Sequence, residues 1–178
     1  MEAPLNAPQR PDLAAELARR QDVDQKARAF AIGDQPTDAE IDWMRQVDQD
    51  NTAWLESAVA EHGWPGFRLV GAQGASSAWL LAQHADRRPE LQRCWLTLLE
   101  AAVQAGDASH KDLAYLQDRV ATHERIPQRH GTQWLGSGGK SALAPLADPR
   151  RVNEYRAAVG LDPLNDHEIA AAWQSYPW

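Results

Sequence analysis

Cysteine is nearly absent from this sequence, which has only Cys94 among its 178 residues. A single cysteine excludes an internal disulfide bond and any metal site made of several cysteines. Because Cys94 lies in the segment Leu91-Gln-Arg-Cys-Trp-Leu, we predict that it is a buried small hydrophobe and not a nucleophile.

Long hydrophobic runs are absent as well. The apolar runs are short and broken by charged residues, and the chain opens Met-Glu-Ala-Pro, without the basic region and hydrophobic segment of a signal peptide. We therefore expect a soluble, cytoplasmic protein with no membrane partner.

Positive charge is scarce. The 18 lysines and arginines are scattered and face 25 aspartates and glutamates, which gives a formal net charge of −7. A nucleic-acid-binding surface is basic, so we expect no DNA or RNA partner. The glycines near residue 71 form no phosphate loop, because no Gly-Lys-Ser/Thr follows them, and zinc-binding patterns such as HExxH are missing. The sequence predicts no cofactor.

The sequence is rich in helical periodicity. Apolar residues recur three and four positions apart and predict an all-α fold, a single-domain bundle of six to seven helices over residues 12–178 with one long functional loop. Residues 1–11 contain three prolines and are predicted to form a flexible arm.

Capping residues and glycines predict the helix boundaries. The expected starts are Asp12, Thr37 with its capping-box partner Glu40, residue 75, Pro89, Asp107 or Ser109, Asp148-Pro149, and Asn165 with Glu168. The expected stops are Gly33, Gly63, Gly106 and Gly160, and the last helix is expected to run through Trp173.

Two segments do not show helical periodicity. Residues 67–71 have the composition of one strand, but no second strand of similar quality is present, so no sheet is expected. Residues 125–147 are too long for an ordinary connection. We predict that this segment and residues 71–77 cover one end of the bundle, that its first half is functional, and that the glycine run 136–139 is mobile.

Polar side chains appear at the end of the apolar segment from Trp79 to Asp86. Gln83 follows Trp79 by four residues and His84 follows Leu80 by four, so both continue core-facing rows of a helix. One interpretation is a core histidine with a hydrogen bond to a neighbour. The other is a general acid or base, because histidine titrates near neutrality.

The first two helices leave further alternatives open. Asp24 and Arg28 are four residues apart, and the sequence alone favours an exposed salt bridge over a role in a site. Asp48 and Asn51 interrupt the apolar face of the second helix. Either this stretch faces solvent or the helix contributes two polar groups to an internal site.

The fifth helix carries Tyr115, Asp118 and Arg119 on one side, which places a phenol, a carboxylate and a guanidinium within reach of one another. A solvated helix face explains this cluster equally well. Carboxamide and hydroxyl groups that are suited to polar substrate atoms follow at Gln128, Thr132 and Gln133.

Together these residues resemble the signature of an uncharacterised bacterial family catalogued as domain of unknown function 6624. The resemblance covers about residues 13–164, with these pieces: Asp24-Gln25 with Arg28, Gly63-Trp64-Pro65, Gln83-His84-Ala85-Asp86, Ala114-Tyr115 with Asp118-Arg119, Gln128, Gly131-Thr132-Gln133, and Arg156 before Gly160-Leu161. The chain departs from the pattern at His130, where a tyrosine is more usual, and in the insert at 136–139. The resemblance implies a shared fold and a shared site, and it implies no activity.

The functional hypothesis is a hydrolase-type or lyase-type enzyme that modifies a small molecule or a peptide. His84 is the expected general acid or base, Asp118 would orient it, and Arg119 would bind or stabilise negative charge. The predicted substrate-binding residues are Gln83, Asp86, Tyr115, Gln128, Thr132, Gln133, Asp24 and Arg28. The alternative is a non-catalytic binding or interaction protein whose polar residues form a structural network.

Two further expectations concern the arrangement of the site. His84, Asp118, Arg119, Gln128 and Gln133 are expected to converge on one cavity. No metal is predicted, because a glutamine-rich site suits transition metals poorly, and His84, Asp86 and Asp118 are the ligand set that would otherwise be considered.

Overall fold

The computed structural model describes residues 7–32 and 35–177. The described part of the chain contains seven helices and one small antiparallel hairpin, which confirms the predicted all-α class. The elements are α1 (Pro11–Ala31), α2 (Asp38–His62), α3 (Phe67–Gln83), α4 (Pro89–Gln104), α5 (His110–His123), β1 (Trp134–Ser137), β2 (Lys140–Leu143), α6 (Val152–Ala158) and α7 (Asp166–Ala171).

The chain divides into two compact units, unit 1 (Met1–Ala108) and unit 2 (Ser109–Trp178). Unit 1 holds α1 to α4, and unit 2 holds α5, the hairpin, α6 and α7. The single domain predicted over residues 12–178 stays a prediction. Within the described ranges, no helix is both long enough and apolar enough to cross a membrane.

The core of unit 1 is built from one apolar face of each of its four helices. Leu17 of α1, Leu55 of α2, Leu81 of α3 and Trp95 of α4 are fully buried in it. On α1 the buried positions keep the predicted helical spacing, but one of them, Asp24, is a carboxylate. Asp24 is part of the candidate site described below.

Most of the predicted helix starts are confirmed. Thr37 caps α2 in a capping box with Glu40, Pro89 lies in the first turn of α4, and Ser109 caps α5. The predicted cap at Asp12 is wrong: α1 begins at Pro11, and the Asp12 carboxylate accepts hydrogen bonds from the Arg10 side chain.

The third helix differs most from the prediction. It begins at Phe67, where an extended strand was considered, so residues 71–77 form part of a helix and not a loop. The N–H groups of Phe67 and Arg68 donate to the backbone oxygen and the carboxylate of Asp107, which satisfies the start of the helix from a distant residue. At Gly71 the backbone leaves helical geometry with φ 73°, so the helix is kinked there.

The predicted flexible arm is only partly described. Residues 1–6 lie outside the described residues, as does the predicted stop of α1 at Gly33. Gln9 and Arg10 donate backbone hydrogen bonds to the carbonyl oxygens of Arg68 and Leu69, at 3.2 and 2.9 Å. The described end of the arm is therefore attached to α3.

Unit 2 contains the hairpin that the sequence did not predict. Trp134 pairs with Leu143 and Ser137 with Lys140, and the two-residue turn between the strands is Gly138-Gly139, with φ of 56° and 79°. Positive φ at both central residues suits the twist of a tight hairpin, and glycine adopts it without strain. The expectation of no sheet was wrong, because part of the glycine run 136–139 forms the turn of a hairpin. The predicted mobility of this run stays a prediction.

The remaining predicted boundaries in unit 2 are close to those observed. The helix expected at Asp148-Pro149 starts later, at Val152, because Asp148 first forms a turn in which its carboxylate accepts from the N–H of Arg150. Gly160 follows α6 with φ 75°, as predicted, and Asn165 caps α7 in a capping box with Glu168.

The prediction that Cys94 is buried is wrong, because its side chain is exposed. The buried face of α4 consists of Gln92, Trp95, Leu99 and Val103. Cys94 lies just outside that stripe.

Gly131 provides a test of packing in unit 2. Gly131 and Gly160 both have positive φ, but a Cβ at Gly131 would lie 2.7 Å from Cδ1 of Leu164, whereas nothing lies within 4 Å of one at Gly160. We expect Gly160→Ala to lower the free energy of unfolding by about 1–2 kcal/mol through backbone strain alone. Gly131→Ala should lower the free energy of unfolding by about 1–3 kcal/mol more than Gly160→Ala does, because the added methyl group also overpacks the site. Urea unfolding measures both losses. Equal losses in the two variants would contradict this packing.

Candidate functional site

His84 is the residue around which the polar side chains of unit 1 gather. It is the C-terminal cap of α3, with its N–H bonded to the Leu80 oxygen, so its side chain leaves the helix end while remaining 13% exposed. Its Nδ1 atom lies 2.9 and 3.0 Å from the two carboxylate oxygens of Asp24. The imidazole is thus held by a carboxylate on one ring nitrogen.

Asp24 is 1% exposed and lies on the apolar face of α1. Burial raises the pKa of this carboxyl, but the hydrogen bond and charge of His84, the charge of Arg28 and a hydrogen bond from Gln25 outweigh burial and leave the pKa lowered. The Asp24 carboxylate is therefore ionised at neutral pH.

Arg28 connects the members of this group. Its Nε lies 2.9 Å from Nδ1 of His84 and 3.4 Å from an oxygen of Asp24, and its Nη2 donates to Asp48 at 2.7 Å. The exposed salt bridge that the sequence favoured for Asp24 and Arg28 is therefore wrong: one partner is buried and the other is 20% exposed.

Asp48 comes from α2, at the interruption of its apolar face. Burial raises the pKa of the Asp48 carboxyl, and the charges of Arg28 and His84 offset only part of that rise. The neighbouring Asn51 is also buried and accepts a hydrogen bond from Arg20 at 3.1 Å. Of the two interpretations of this stretch, the structure favours an internal polar site.

A cavity of about 330 Å³ opens beside this group, entirely within unit 1. His84 and Asp48 are among its lining residues, so the histidine that contacts the buried carboxylate also borders the cavity. The lining residues are Asp48, Gln49, Thr52, Ala53, His84, Ala85, Arg87 and Arg88. Its volume is at the lower end of the range of small-molecule sites.

The remaining predicted residues of unit 1 surround the end of α3. Gln83 is buried, and Asp86 is exposed. Sequence analysis missed Gln92, a fully buried residue whose Nε2 donates to the carbonyl oxygens of Ala82 and Gln83. Its position within the apolar stripe of α4 was the available signal.

The Asp118 carboxylate belongs to a hydrogen-bond network of unit 2, and the prediction that it orients His84 stays a prediction. Its carboxylate accepts hydrogen bonds from the N–H groups of Arg129, His130 and Thr132 and from the hydroxyl of Thr132, at 2.9 to 3.1 Å. The carboxylate that holds His84 is Asp24. Asp118 instead shapes the segment that follows α5, and it is 1% exposed.

Gln128 and Gln133 form a second buried network in unit 2. The Gln128 side chain donates to the carbonyl oxygens of Gln133 and Ala144 and accepts from the Gln133 N–H, so its three hydrogen bonds are all to backbone. The Gln133 side chain donates to the Thr132 hydroxyl. A carboxamide with no exposed surface is suited to holding a loop, not to contacting substrate.

The predicted site residues therefore fall into two groups. The cavity cluster in unit 1 consists of the predicted residues Asp24, Arg28 and His84 together with Asp48, whose role the sequence left open. The loop network in unit 2 consists of Asp118, Gln128, Thr132 and Gln133. Tyr115 and Arg119 are half-buried on α5. The expectation that the two groups share one cavity stays a prediction.

The cavity cluster also contains possible metal ligands. Among the described residues, one ligand atom from each of Asp24, Asp48 and His84 lies within 4.8 Å of the others. This set shares only His84 with the one considered from the sequence.

The structure defines an all-α protein with an aspartate, a histidine and an arginine clustered beside a cavity. Over residues 11–173 the chain matches the family DUF6624, a family of unknown function, and it belongs to that family. No curated protein and no solved structure matches the chain.

Asp118 and Asp112 on α5 form a matched pair for mutation. We expect Asp118→Asn to lower the free energy of unfolding by about 2–4 kcal/mol, because an amide nitrogen would face backbone N–H donors.

Burial raises the pKa of Asp112 to about 6, against lowering contributions from Lys111 and Ser109.

Because the folded-state pKa of Asp112 is raised from 3.8 to about 6, this carboxyl lowers the stability of the fold as pH rises from 3.8 to about 6, and the loss is constant above that range. Asp112→Asn should therefore increase stability by about 1–2 kcal/mol at pH 8 and by little at pH 4 in urea unfolding. An Asp118→Asn variant as stable as wild type would show that the loop does not depend on this carboxylate.

Asp24 predicts a second pH dependence, of opposite sign. Its pKa is lowered in the folded state, so its contribution to stability is present above pH 3.8 and is lost as pH falls below that value. We expect Asp24→Asn to be less stable than wild type by about 2–4 kcal/mol at pH 7, with a gap that narrows under acid. Asp22→Asn, at an exposed position on the same helix, is the control and should show no gap at any pH. A gap for Asp24→Asn that does not change with pH would contradict the assignment.

Proposed function

We propose that unit 1 carries the active site of an acid–base enzyme, hydrolytic or lyase-like, that acts on a small molecule or peptide, with His84 as the general acid or base. The observation that carries the proposal is that His84 contacts a buried carboxylate and also borders a cavity. Its Nδ1 lies against the buried carboxylate of Asp24, and His84, whose side chain is 13% exposed, is also among the residues that line a cavity of about 330 Å³.

The Asp24 carboxylate makes the imidazole suitable for proton transfer. A carboxylate on Nδ1 favours the tautomer with its proton on that nitrogen, leaves the lone pair on Nε2, and stabilises the imidazolium that forms when Nε2 takes a proton. Asp24 acts through His84 in this proposal, because at 1% exposure it has no surface for substrate. It is a positioning residue and takes the part predicted for Asp118.

The cavity lining suggests a polar substrate that carries negative charge. Arg87 and Arg88 contribute two positive charges at the lining, and Gln49 and Thr52 contribute a carboxamide and a hydroxyl. Arg88 also forms ion pairs with Glu90 and Glu56, so Arg87 is the stronger candidate for an anionic group of the substrate. Arg119, which the sequence predicts to bind or stabilise negative charge, lies on α5 in unit 2. That role stays a prediction.

The alternative function is a non-catalytic binding or interaction protein whose polar residues hold the fold together. The loop network of unit 2 favours that interpretation for its own members, since Asp118, Gln128 and Gln133 are buried and bonded largely to backbone. The cavity cluster favours an enzyme or a small-molecule binder over a purely structural network, because a sealed network would have no open lining.

Two substitutions at His84 separate the alternatives. An asparagine carries its amide nitrogen close to the position of Nδ1, so His84→Asn can keep the hydrogen bond to Asp24 while it removes the titrating ring. We expect the free energy of unfolding of His84→Asn to lie within about 1 kcal/mol of the wild-type value. In His84→Ala it should be lower by about 1–3 kcal/mol, because the buried carboxylate loses that partner.

The functional measurement is a screen of metabolites and of ester, amide and phosphoester substrates, read by turnover and by thermal shift on wild type and both variants. Of these three proteins, the proposal expects turnover by wild type only. In an additional variant, Arg87→Gln, the thermal shift caused by the ligand should be smaller than in wild type. A substrate turned over equally by His84→Asn would refute the acid–base role. Absence of any ligand, together with loss of folding in His84→Ala, would favour the structural alternative.

A further inference from the structure

We propose that Asp24, Asp48 and His84 bind one divalent transition-metal ion, at the position that the Arg28 guanidinium occupies in the structure. One oxygen from each carboxylate and one imidazole nitrogen lie within 4.8 Å of one another, which allows a single ion to contact all three. Arg28 contacts the same three residues, at 3.4, 2.7 and 2.9 Å. The guanidinium thus fills the place of a cation among ligands that suit a metal.

The strongest indication is a conflict at Nδ1 of His84. A carboxylate oxygen of Asp24 and the Nε–H of Arg28 both lie 2.9 Å from this nitrogen. An imidazole nitrogen carries either a proton or a lone pair in the ring plane, so it can donate to the carboxylate or accept from the guanidinium, but not both. A metal ion removes the conflict, because the lone pair of Nδ1 and the carboxylate oxygens would all point to one centre.

Charge balance supports the same assignment. Two carboxylates, Asp24 and Asp48, face one guanidinium in a partly buried setting. One fixed positive charge therefore does not balance both carboxylates. A divalent ion in the same place supplies two positive charges close to both groups.

The cavity gives the ion a route and room for water. Asp48 and His84 both line it, and the Arg28 side chain is 20% exposed, long and flexible, so it can turn outward when a metal binds. Three protein ligands and one or more water molecules complete the coordination that open metal sites have.

The ligand set selects the class of ion. Two carboxylates and one imidazole are a mixed oxygen and nitrogen set, which suits Zn²⁺ or Mn²⁺ better than Mg²⁺, an ion that keeps its water and prefers oxygen. Zn²⁺ and Mn²⁺ are therefore the probes, and Mg²⁺ is the ion that should compete poorly.

Metal binding and acid–base chemistry use alternative states of His84, and metal binding can be tested without a substrate. A metal on Nδ1 places the ring proton on Nε2, so metal-bound His84 and acid–base His84 are two separate states of one residue. Loss of metal binding would leave the acid–base function standing, and loss of acid–base turnover would leave the metal site standing.

The experiment is isothermal titration calorimetry of the full chain with Zn²⁺ and Mn²⁺. We expect one ion per chain in wild type and an affinity lower by about tenfold or more in Asp48→Asn, because changing even a partner of a metal ligand costs about 10- to 100-fold. Asp42→Asn, the same change at an exposed position of α2, is the matched control and should bind as wild type does. Arg28→Met should bind more tightly, because the competing cation is gone.

A second measurement needs no variant to be stable. In wild type labelled with ¹⁵N-histidine, Zn²⁺ should shift the Nδ1 signal of His84 before those of the other five histidines. Equal affinity in Asp48→Asn and Asp42→Asn, or a first shift at another histidine, would overturn the proposal and indicate surface binding. No heat and no shift with either ion would overturn it as well.

Discussion

A carboxylate in the apolar face of α1 is the constraint on which the rest of unit 1 depends. An ionised carboxylate transferred out of water costs several kcal/mol unless it is paired and hydrogen-bonded. Asp24 meets this requirement with an imidazole from the end of α3, a carboxamide from the next residue and a guanidinium one helical turn later. The contacts that offset the cost of burying Asp24 are therefore the same contacts that assemble the cavity cluster.

The two polar groups of the chain solve different problems. In unit 2 the buried acceptor Asp118 is surrounded by backbone N–H groups of one loop, so its carboxylate sets the path of the main chain. In unit 1 the buried acceptor is surrounded by side chains, one of which reaches open space at the cavity. Sequence composition is alike in the two cases, and only the identity of the donors distinguishes a scaffold from a candidate site.

Much of the fold follows from local signals in the sequence. Thr37 with Glu40, Pro89, Ser109 and Gly160 act within one or two helical turns, so their effects are readable without knowledge of the rest of the chain. The start of α3 was not readable in this way, because its first N–H groups are satisfied by Asp107, about forty residues later. The hairpin turn was missed because two glycines read equally well as a mobile segment and as a tight turn.

The candidate site shows the same division between local and distant causes. His84 could be selected from its position on a helix face, and Asp48 was visible as an interruption in an apolar stripe. The pairing of Asp24 with His84 was not visible, since sixty residues separate them and helical periodicity carries no information on which helices meet. Asp118 also offers a carboxylate that could orient an imidazole if the two side chains met, and the sequence does not show which carboxylate His84 meets.

The sequence distances within the cavity cluster have a consequence for folding. Arg28 is separated from Asp48 by 20 residues and from His84 by 56, and the Asp24 contact spans 60. Closing chain segments of this length costs entropy that nearby helical contacts do not, so contacts of this kind form after the helices themselves. The imidazole therefore acquires its carboxylate only once α1 and α3 have docked, and a signal from His84 would report that docking step in unit 1.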